Sequence, residues 1–556
     1  MIQILEKVPK KIPGESSLFI SFDYKPEIVA VIKTCGPTHY DDKSRIWEIP
    51  TTRLAKFVNG VYAYDDIDIK LLKTQTKEYI EYPLHKHKTT PYKYQEEGIQ
   101  YGLNKDSFLL LDAPGLGKTL QMIYLAEELK AREGISHCLI VCGINTLKTN
   151  WEKEIKKHSK LSCTILGKKV TKKGKVWFDG TQARLNQIKS KINEFFIITN
   201  IETLRDNKFM TALRNGPNKI DMVVVDEIHT CKSHISQQGQ NLLKLTFPKH
   251  KVGLTGTPIL NTPLDAYVPL KWIGVEKASY TNFRYQYCAY GGQFNNELVG
   301  YKNMDVLKGI LAKHSLRRTK DLLDLPEKTI IDEFLDMPLK QETFYENLRN
   351  GIIEEIDKVH VSTANLLAMI ARLRQATACP SILTSSDIPS VKLDRCIELI
   401  QEITSNGDKV VVFSTFKETL NQLQRRLIEY SPLLCHGDVP DTEVSENIDK
   451  FQEDDTYKVM LCTHAKMGVG VTLTAANYAV FIDQPWTDGA YEQCCDRIHR
   501  IGSEKPVFIY NLICNNTFDM RVHQIVKNKE VIGNFIVDNL IDNNALEILK
   551  KYIKDL

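Results

Sequence analysis

The sequence contains no apolar run of about 18 residues or more, the length a membrane-spanning helix requires, so no membrane association is expected. Its thirteen cysteines show no C-x-x-C spacing. Neither a zinc ribbon nor a disulfide framework is implied, and reduced thiols point to a cytoplasmic or nuclear compartment. The adjacent Cys494 and Cys495 fall in a helical pattern that turns their side chains apart, which suits packing better than joint ligation of an ion. There is no short-period repeat and no low-complexity tract. A surplus of one charge is also missing: the net charge is +4, too small to announce a nucleic-acid binder, so any basic surface has to be local. At the start of the chain Lys7, Lys10 and Lys11 interrupt the apolar pieces. A secretory signal, which needs a continuous apolar core, is not expected there.

At 556 residues the chain is too long for one core, and three or four folded units are implied. Its 42% apolar and 26% charged residues are ordinary for a soluble globular protein. One local basic region exists between Lys156 and Lys191, where Lys157, Lys160, Lys168, Lys169, Lys172, Lys173, Lys175, Arg184 and Lys189 face the single acid Asp179. That composition suits a solvated loop and a phosphate-contacting surface equally.

Residues 1–85 read as a small separate unit, with strands at 18–22 and 45–49 and a helix at 26–34. The stretch from His85 to Pro91 has linker composition, and its two histidines are expected in solvent. From 86 to 275, apolar runs at 108–111, 138–142, 195–199, 222–225 and 252–254 alternate with amphipathic helices, the pattern of a parallel sheet with crossover helices. A second set follows within 391–535, at 410–413, 433–435, 459–462, 480–482 and 507–510. Between them, 276–390 is mostly helical, with apolar residues at helical spacing over 342–375, and 536–556 closes the chain as helix.

The run at 108–111 leads through Asp112-Ala-Pro-Gly-Leu-Gly-Lys-Thr119 into an amphipathic helix. Strand, glycine turn and helix form a phosphate loop. Pro114, Gly115, Leu116 and Gly117 would wrap phosphate oxygens at a helix N-terminus, Lys118 would neutralise β/γ-phosphate charge, and Thr119 would ligate magnesium. Asp112 stands where the usual pattern has its first glycine. The run at 222–225 ends in Asp226-Glu227-Ile-His229, two carboxylates beside the nucleotide. Asp226 would hold magnesium, partly through water, and Glu227 would polarise the attacking water. His229 fits either coupling to the other lobe or packing. Gln493-Cys-Cys-Asp-Arg497-Ile-His-Arg500 places Arg497 and Arg500 on one helix face after the second α/β lobe, as expected of arginine fingers.

Over nearly all of residues 90–535 the sequence resembles the Swi/Snf-like group of superfamily-two ATPases. The likeness runs through Tyr92-Lys-Tyr-Gln95, the phosphate loop, Asn145-Thr-Leu-Lys-Thr-Asn-Trp151, Ile198-Thr-Asn-Ile-Glu-Thr-Leu204, the Asp226–His229 box and Gly253-Leu-Thr-Gly-Thr-Pro258. It continues with Val411-Val-Phe-Ser-Thr-Phe416, His436-Gly437, Gly468-Val-Gly-Val-Thr-Leu-Thr-Ala-Ala476 and Asp496-Arg-Ile-His-Arg-Ile-Gly502. The resemblance implies an α/β fold of two RecA-like parallel-sheet lobes with helical insertions, plus a small α+β N-terminal domain. It implies ATP and Mg2+ as cofactors, Gln95 reading adenine, Gly470 lining the nucleotide, and Thr199, Thr255, Ser414 and Thr474 near the DNA backbone or coupling it to ATP. Thr472 and Ser503 depart from the group, which usually has Asn and Gln there.

Phe283-Arg-Tyr-Gln-Tyr-Cys288, Gly291-Gly292 and Leu316-Arg317-Arg318-Thr-Lys320-Asp-Leu-Leu-Asp-Leu-Pro326 look like the HARP-bearing annealing-helicase branch. Arg317 and Arg318 would be lobe-bridging, DNA-facing or packing residues. Tyr24 to Lys33 and Tyr40 to Pro50 are similar to the HARP pattern, with Trp47 as a core anchor or a base-stacking residue. The expected activity is therefore ATP-dependent translocation on double-stranded or branched DNA by a monomeric motor. DNA rewinding or fork remodelling would follow, with replication or repair proteins as further partners. A strand-separating DNA or RNA helicase is the alternative. A motor subunit serving another active site is a third class, with no nuclease cluster of its own in sight.

Overall fold

Burial on both faces turns apolar, β-branched runs into parallel strands, and two sheets arise this way. The computed structural model describes residues 2–7, 17–22, 24–36, 38–42, 45–50, 53, 56–57, 61, 69–72, 79–143, 145–170, 176–256, 262–291, 297–323, 325–358, 362–467, 471–528 and 543–555. In lobe one, seven strands run parallel in the order Ser315–Leu316, Ser107–Leu110, His250–Leu254, Ile220–Val225, His137–Cys142, Phe196–Asn200 and Cys163–Ile165. Alternate residues of one strand enter opposite apolar layers: Val223 and Val225 face one, Met222 and Val224 the other.

Lobe two repeats the plan with six parallel strands in the order Lys328–Leu335, Val507–Cys514, Tyr478–Phe481, Val410–Ser414, Val459–Thr463 and Leu433–Cys435. Here Val411 and Phe413 join one layer, Val410 and Val412 the other. The α/β class with two parallel-sheet lobes is thus the one that the sequence pattern predicts.

Three sheet members carry no such pattern. Cys163–Ile165 and Ser315–Leu316 are too short for periodicity to show, and Lys328–Leu335 is an edge strand that carries Lys328, Asp332 and Glu333. The stretch 276–390 accordingly serves both lobes. Phe283, Tyr287, Leu307 and Leu311 pack into lobe one. Tyr345, Ile352, Leu366 and Leu373, from the helices Leu339–Lys358 and Thr363–Ala378, pack into lobe two. The terminal helix Asn543–Lys554 adds Leu549 and Ile553 to that second core.

The N-terminal unit is a five-stranded sheet, ordered His39–Asp41, Ile46–Pro50, Ser17–Ser21, Ile2–Lys7 and Ile69–Leu72, with the helix Pro26–Thr34. Its own core includes Leu18, Ile20, Ile28, Ile32 and Ile49, and Trp47 packs against the margin beside Tyr40, ring centroids 4.8 Å apart. The segment that follows is exposed at His85, as expected of a linker, but it is also docked, with the His87 side chain buried. His85 Nδ1 lies 2.9 Å from Glu128, and His87 Nδ1 lies 2.9 Å from Glu127 with its ring stacked on Tyr124. Adjacent glutamates on the helix Lys118–Glu133 give both imidazoles acceptors, so polar composition here marks a docked strap. Among the described residues no helix is long and apolar enough to cross a membrane. All thirteen cysteines are free thiols, and every one except Cys163 is buried.

Candidate nucleotide site between the lobes

The strand Ser107–Leu110 ends at a turn that only glycine accommodates. Gly115 and Gly117 have φ of +87° and +71°, and Gly117 caps the helix Lys118–Glu133. A side chain at Gly117 would collide with the Gln95 amide, and a Cβ at Gly115 would lie 3.1 Å from the Cβ of Arg500, which belongs to lobe two. The loop is therefore roofed closely. Gln95 accepts from the Tyr92 N–H at 2.9 Å and donates to the Leu116 carbonyl at 3.3 Å. Tyr94 donates to the same carbonyl at 3.2 Å, and burial pushes its phenol up to about 12. Pro114 lies beneath Gly256, where an added Cβ would meet its Cγ at 2.7 Å. Thr119 is half-buried in the first turn of the helix. Lys118 donates to the carbonyls of Asp112 at 2.9 Å and Ala113 at 3.4 Å. Burial lowers its pKa against the pull of Glu227, Asp226 and Asp112.

The strand Ile220–Val225 delivers the carboxylates. Asp226 Oδ2 accepts from the Trp151 indole at 2.9 Å, and Oδ1 accepts from the Glu227 N–H at 3.0 Å. Burial, then the neighbouring Glu227 charge, raise Asp226 to about 6 against the Trp151 bond. Glu227 has φ of 53°, a left-handed conformation that costs a non-glycine residue about 1–3 kcal/mol. Burial pushes its carboxyl up, but His229, Lys118 and Arg497 together hold it below the ordinary glutamate value. His229 Nδ1 lies 3.2 Å from Glu227 Oε2 and 2.9 Å from Thr255 Oγ1, which ties it to lobe one. It also borders an inter-lobe cavity of about 520 Å³ whose far wall includes Thr415, His464 and Trp486.

From lobe two the helix Asp488–Ile498, N-capped by Thr487, carries Arg497 toward the same cleft, but it ends before Arg500, which follows the C-cap His499 and so does not share a helix face with Arg497 as the spacing predicts. Arg497 and Arg500 both donate to the Val471 carbonyl, at 3.3 and 3.5 Å. Burial lowers the pKa of Arg497, opposed first by Glu227, and burial with the Arg497 charge brings Arg500 down to about 10. Lys118, Asp226, Glu227, Arg497 and Arg500 therefore share one electrostatic environment. Gly470 lies outside the described residues. Lys153 and Asp449, 2.7 Å apart, join the lobes beside the site.

The four polar residues named for DNA contact are spread more widely. Thr199 and Thr255 are buried at strand ends of lobe one. Ser414 is buried in lobe two and donates to Asp483 Oδ2 at 2.5 Å. Thr474 is half-buried and accepts from Gln452 at 3.4 Å. Asp483 also receives the Thr415 N–H at 2.9 Å and Arg374 at 3.3 Å. Nothing in the sequence signals the contacts of Trp151, Asp483 and Arg374. Trp151 stands inside one of the shared motifs, but nothing local says that its indole reaches a carboxylate on another strand. The basic region is partly neutralised: Lys156 and Lys168 pair with Glu152, Lys169 pairs with Asp179, and Arg184 is buried against Asn200 and Thr203.

Lys148, one turn before Trp151, is 0% exposed. Among the described residues its Nζ has no hydrogen-bond partner, and it sits 4.6 Å over the Phe178 ring. Burial, then the Arg184 charge, lowers it to about 8. A lysine depressed on folding lends full stability only above its free value and loses it as pH falls through the folded value. At pH 7 the whole penalty is present, roughly 3 kcal/mol. Lys148→Met is expected to raise the unfolding midpoint by about 5 °C or more at pH 7. The gain should shrink toward pH 10, and calorimetry across that range checks it.

Two facing parallel-sheet lobes with a phosphate loop on one, an arginine helix on the other and a carboxylate pair between them define a two-lobed helicase-class fold. Family comparison agrees: the SNF2-related domain matches residues 76–382 and the helicase conserved C-terminal domain matches 391–502. The chain belongs to the SNF2-related family, with the domain pair of an ATP-dependent helicase-class enzyme. It is 27% identical over 494 residues to an uncharacterized ATP-dependent helicase of Mycoplasma pneumoniae, covering 86% of this chain and 45% of that protein. It is 24% identical over 550 residues to the Caenorhabditis elegans homologue of SWI/SNF-related matrix-associated actin-dependent regulator of chromatin subfamily A-like protein 1, covering 92% and 73%. The Sulfolobus solfataricus SWI2/SNF2 ATPase core in complex with dsDNA aligns with a TM-score of 0.38 and 23% identity, over 82% of this chain and 96% of that one. The chain spans less than half the length of the two Mycoplasma helicases it matches, 45% and 42%.

Proposed function

We propose that this chain hydrolyses ATP to translocate on double-stranded or branched DNA, and that it rewinds or remodels forked DNA. The observation that carries the ATPase half is the position of Arg500 against Gly115, which brings lobe two onto the phosphate loop of lobe one. The residues fit the groups this requires. The glycine cradle admits backbone N–H groups to phosphate oxygens, and Lys118 and Arg497 face the two carboxylates there. Thr119 and Asp226 would hold a magnesium ion, which when bound neutralises phosphate charge.

Lys118 binds the β/γ-phosphates, exchanging its two carbonyl partners for them. Glu227, held ionised, orients the attacking water and accepts its proton. Arg497 and Arg500 supply positive charge where negative charge develops, and they reach it only when the lobes are closed. His229 Nδ1 lies within reach of both Glu227 Oε2 and Thr255 Oγ1, so it stands between the water-activating carboxylate and the end of the strand His250–Leu254, which pairs with the phosphate-loop strand. Of the two roles implied for Thr255, coupling is favoured because its side chain is buried.

The steering half rests on the HARP-like segment in the N-terminal unit, tethered directly before the motor. Because residues 79–91 dock on lobe one, the informative truncation removes 1–72 and keeps the strap. The truncated protein is expected to retain duplex-stimulated ATP turnover while losing most fork regression in a gel assay. Equal fork regression by both forms would end the steering role.

A further inference from the structure

The stretch between the lobes touches both halves of the site. Its backbone runs along the phosphate-loop strand: Leu111 N–H donates to the Leu316 carbonyl at 2.7 Å, and Ala113 N–H to the Arg318 carbonyl at 2.9 Å. The Arg318 guanidinium then grips Asp112, Nε to Oδ1 at 3.0 Å and Nη2 to Oδ2 at 2.5 Å. It also donates to Gln121 at 2.7 Å and to the Tyr94 carbonyl. Two residues on, Lys320 bonds the Asp496 carboxylate and, at 2.9 Å, the carbonyl of His499, the C-cap of the arginine helix. His499 Nε2 in turn lies 2.8 Å from the Pro326 carbonyl, and Lys328 pairs with Glu492 at 3.0 Å before the chain enters the lobe-two sheet.

We propose that Arg318 and Lys320 are positioning residues for ATP hydrolysis. Arg318 sets the phosphate loop through Asp112, and Lys320 sets Arg500 through the last turn of the arginine helix. The inference rests on the ATPase reading above and goes beyond it in naming what aligns the two half-sites.

The chemistry at Asp112 requires a counterion. A glycine at that place would need none, but Asp112 puts a buried carboxylate beside Lys118, whose Nζ already bonds the Asp112 carbonyl. Unpaired, that carboxylate would draw the Lys118 ammonium away and repel a triphosphate. The two-pronged Arg318 bond removes both effects. Lys320 has a different task. An ammonium at a helix C-terminus complements the exposed carbonyls there, and it pairs with Asp496, four residues before Arg500. Two extended residues span at most ~7 Å, so the grips at 318 and 320 leave the half-sites little freedom to separate. Because a misplacement of about 1 Å in a reacting group can cost ~10²-fold, the strut acts on the rate without touching substrate.

The two grips should fail differently, and the full chain tests this with duplex DNA present. Arg318→Gln is expected to raise KM for ATP at least about tenfold with a smaller fall in kcat. Arg318→Gln combined with Asp112→Asn should recover most of that loss, because the uncompensated carboxylate is gone. Lys320→Met is expected to lower kcat by ~10²-fold with little change in KM, and Lys320→Arg to restore it. Amide hydrogen exchange gives a reading independent of turnover: Arg318→Gln should speed exchange at 111–117, and Lys320→Met at 495–502. Unchanged kinetics, no rescue by Asp112→Asn, or identical effects of both variants on KM, kcat and exchange would overturn the proposal. If the unaltered protein hydrolyses no ATP, the ATPase reading fails. The exchange pattern then still decides whether each residue holds its own half-site.

Discussion

Arg500→Ala is expected to lower ATP turnover by ~10³–10⁵ while leaving nucleotide binding nearly intact. The reason is geometric. A Cβ added at Gly115 would lie 3.1 Å from the Cβ of Arg500, and among the described residues the Arg500 guanidinium donates to the Val471 carbonyl at 3.5 Å, a weak bond to break. That guanidinium is thus placed to meet charge that develops during bond cleavage and is little used in the ground state. Arg497 is more deeply buried and feels Glu227 and Asp226, so Arg497→Ala should also disturb the carboxylates. Glu227→Gln should likewise abolish turnover but retain ATP binding, whereas Lys118→Ala should lose binding itself. Phosphate release and a fluorescent-nucleotide titration, run on all four variants, separate these outcomes. Near-normal turnover by Glu227→Gln would remove the water-activating role from that residue.

The second large effect is on DNA. Duplex or branched DNA is expected to stimulate turnover far better than RNA, and the affinity should fall by ~10³–10⁵ between 50 and 200 mM salt if six to ten phosphates are contacted. The modest net charge makes this a sharp test, because binding then depends on local cations. Lys156, Lys168 and Lys169 are already paired within the protein, which leaves fewer of them for phosphates than the composition alone suggests. ATP turnover measured with duplex, single-stranded and forked DNA and with RNA, each over a salt series, decides the matter. Equal stimulation by RNA and duplex at one salt concentration favours a strand-separating helicase.

Much of the fold is legible in the sequence where burial leaves a local mark. The strands Val410–Ser414 and Ile220–Val225 hold the apolar runs 410–413 and 222–225 because both faces of those runs are covered. The helix Pro26–Thr34 shows itself by proline at its first turn. The edges are not legible. Two residues at Ser315–Leu316 have no period, and the charges of Lys328–Leu335 read as surface until the neighbouring strand is known.

The glycine turn, the carboxylate pair and the two arginines are legible without the fold, because each is a contiguous string whose chemistry depends on neighbours a few residues away. How these strings meet is a property of the folded chain. Arg318 reaches Asp112 across 206 residues and Lys320 reaches Asp496 across 176. Trp151 finds Asp226 across 75. Such pairs leave no pattern in either segment, since each side chain alone looks like an ordinary surface charge or core aromatic. Folding brings them together because two sheets of parallel strands set their C-terminal ends against one cleft, and the short linker between the lobes has to cross it.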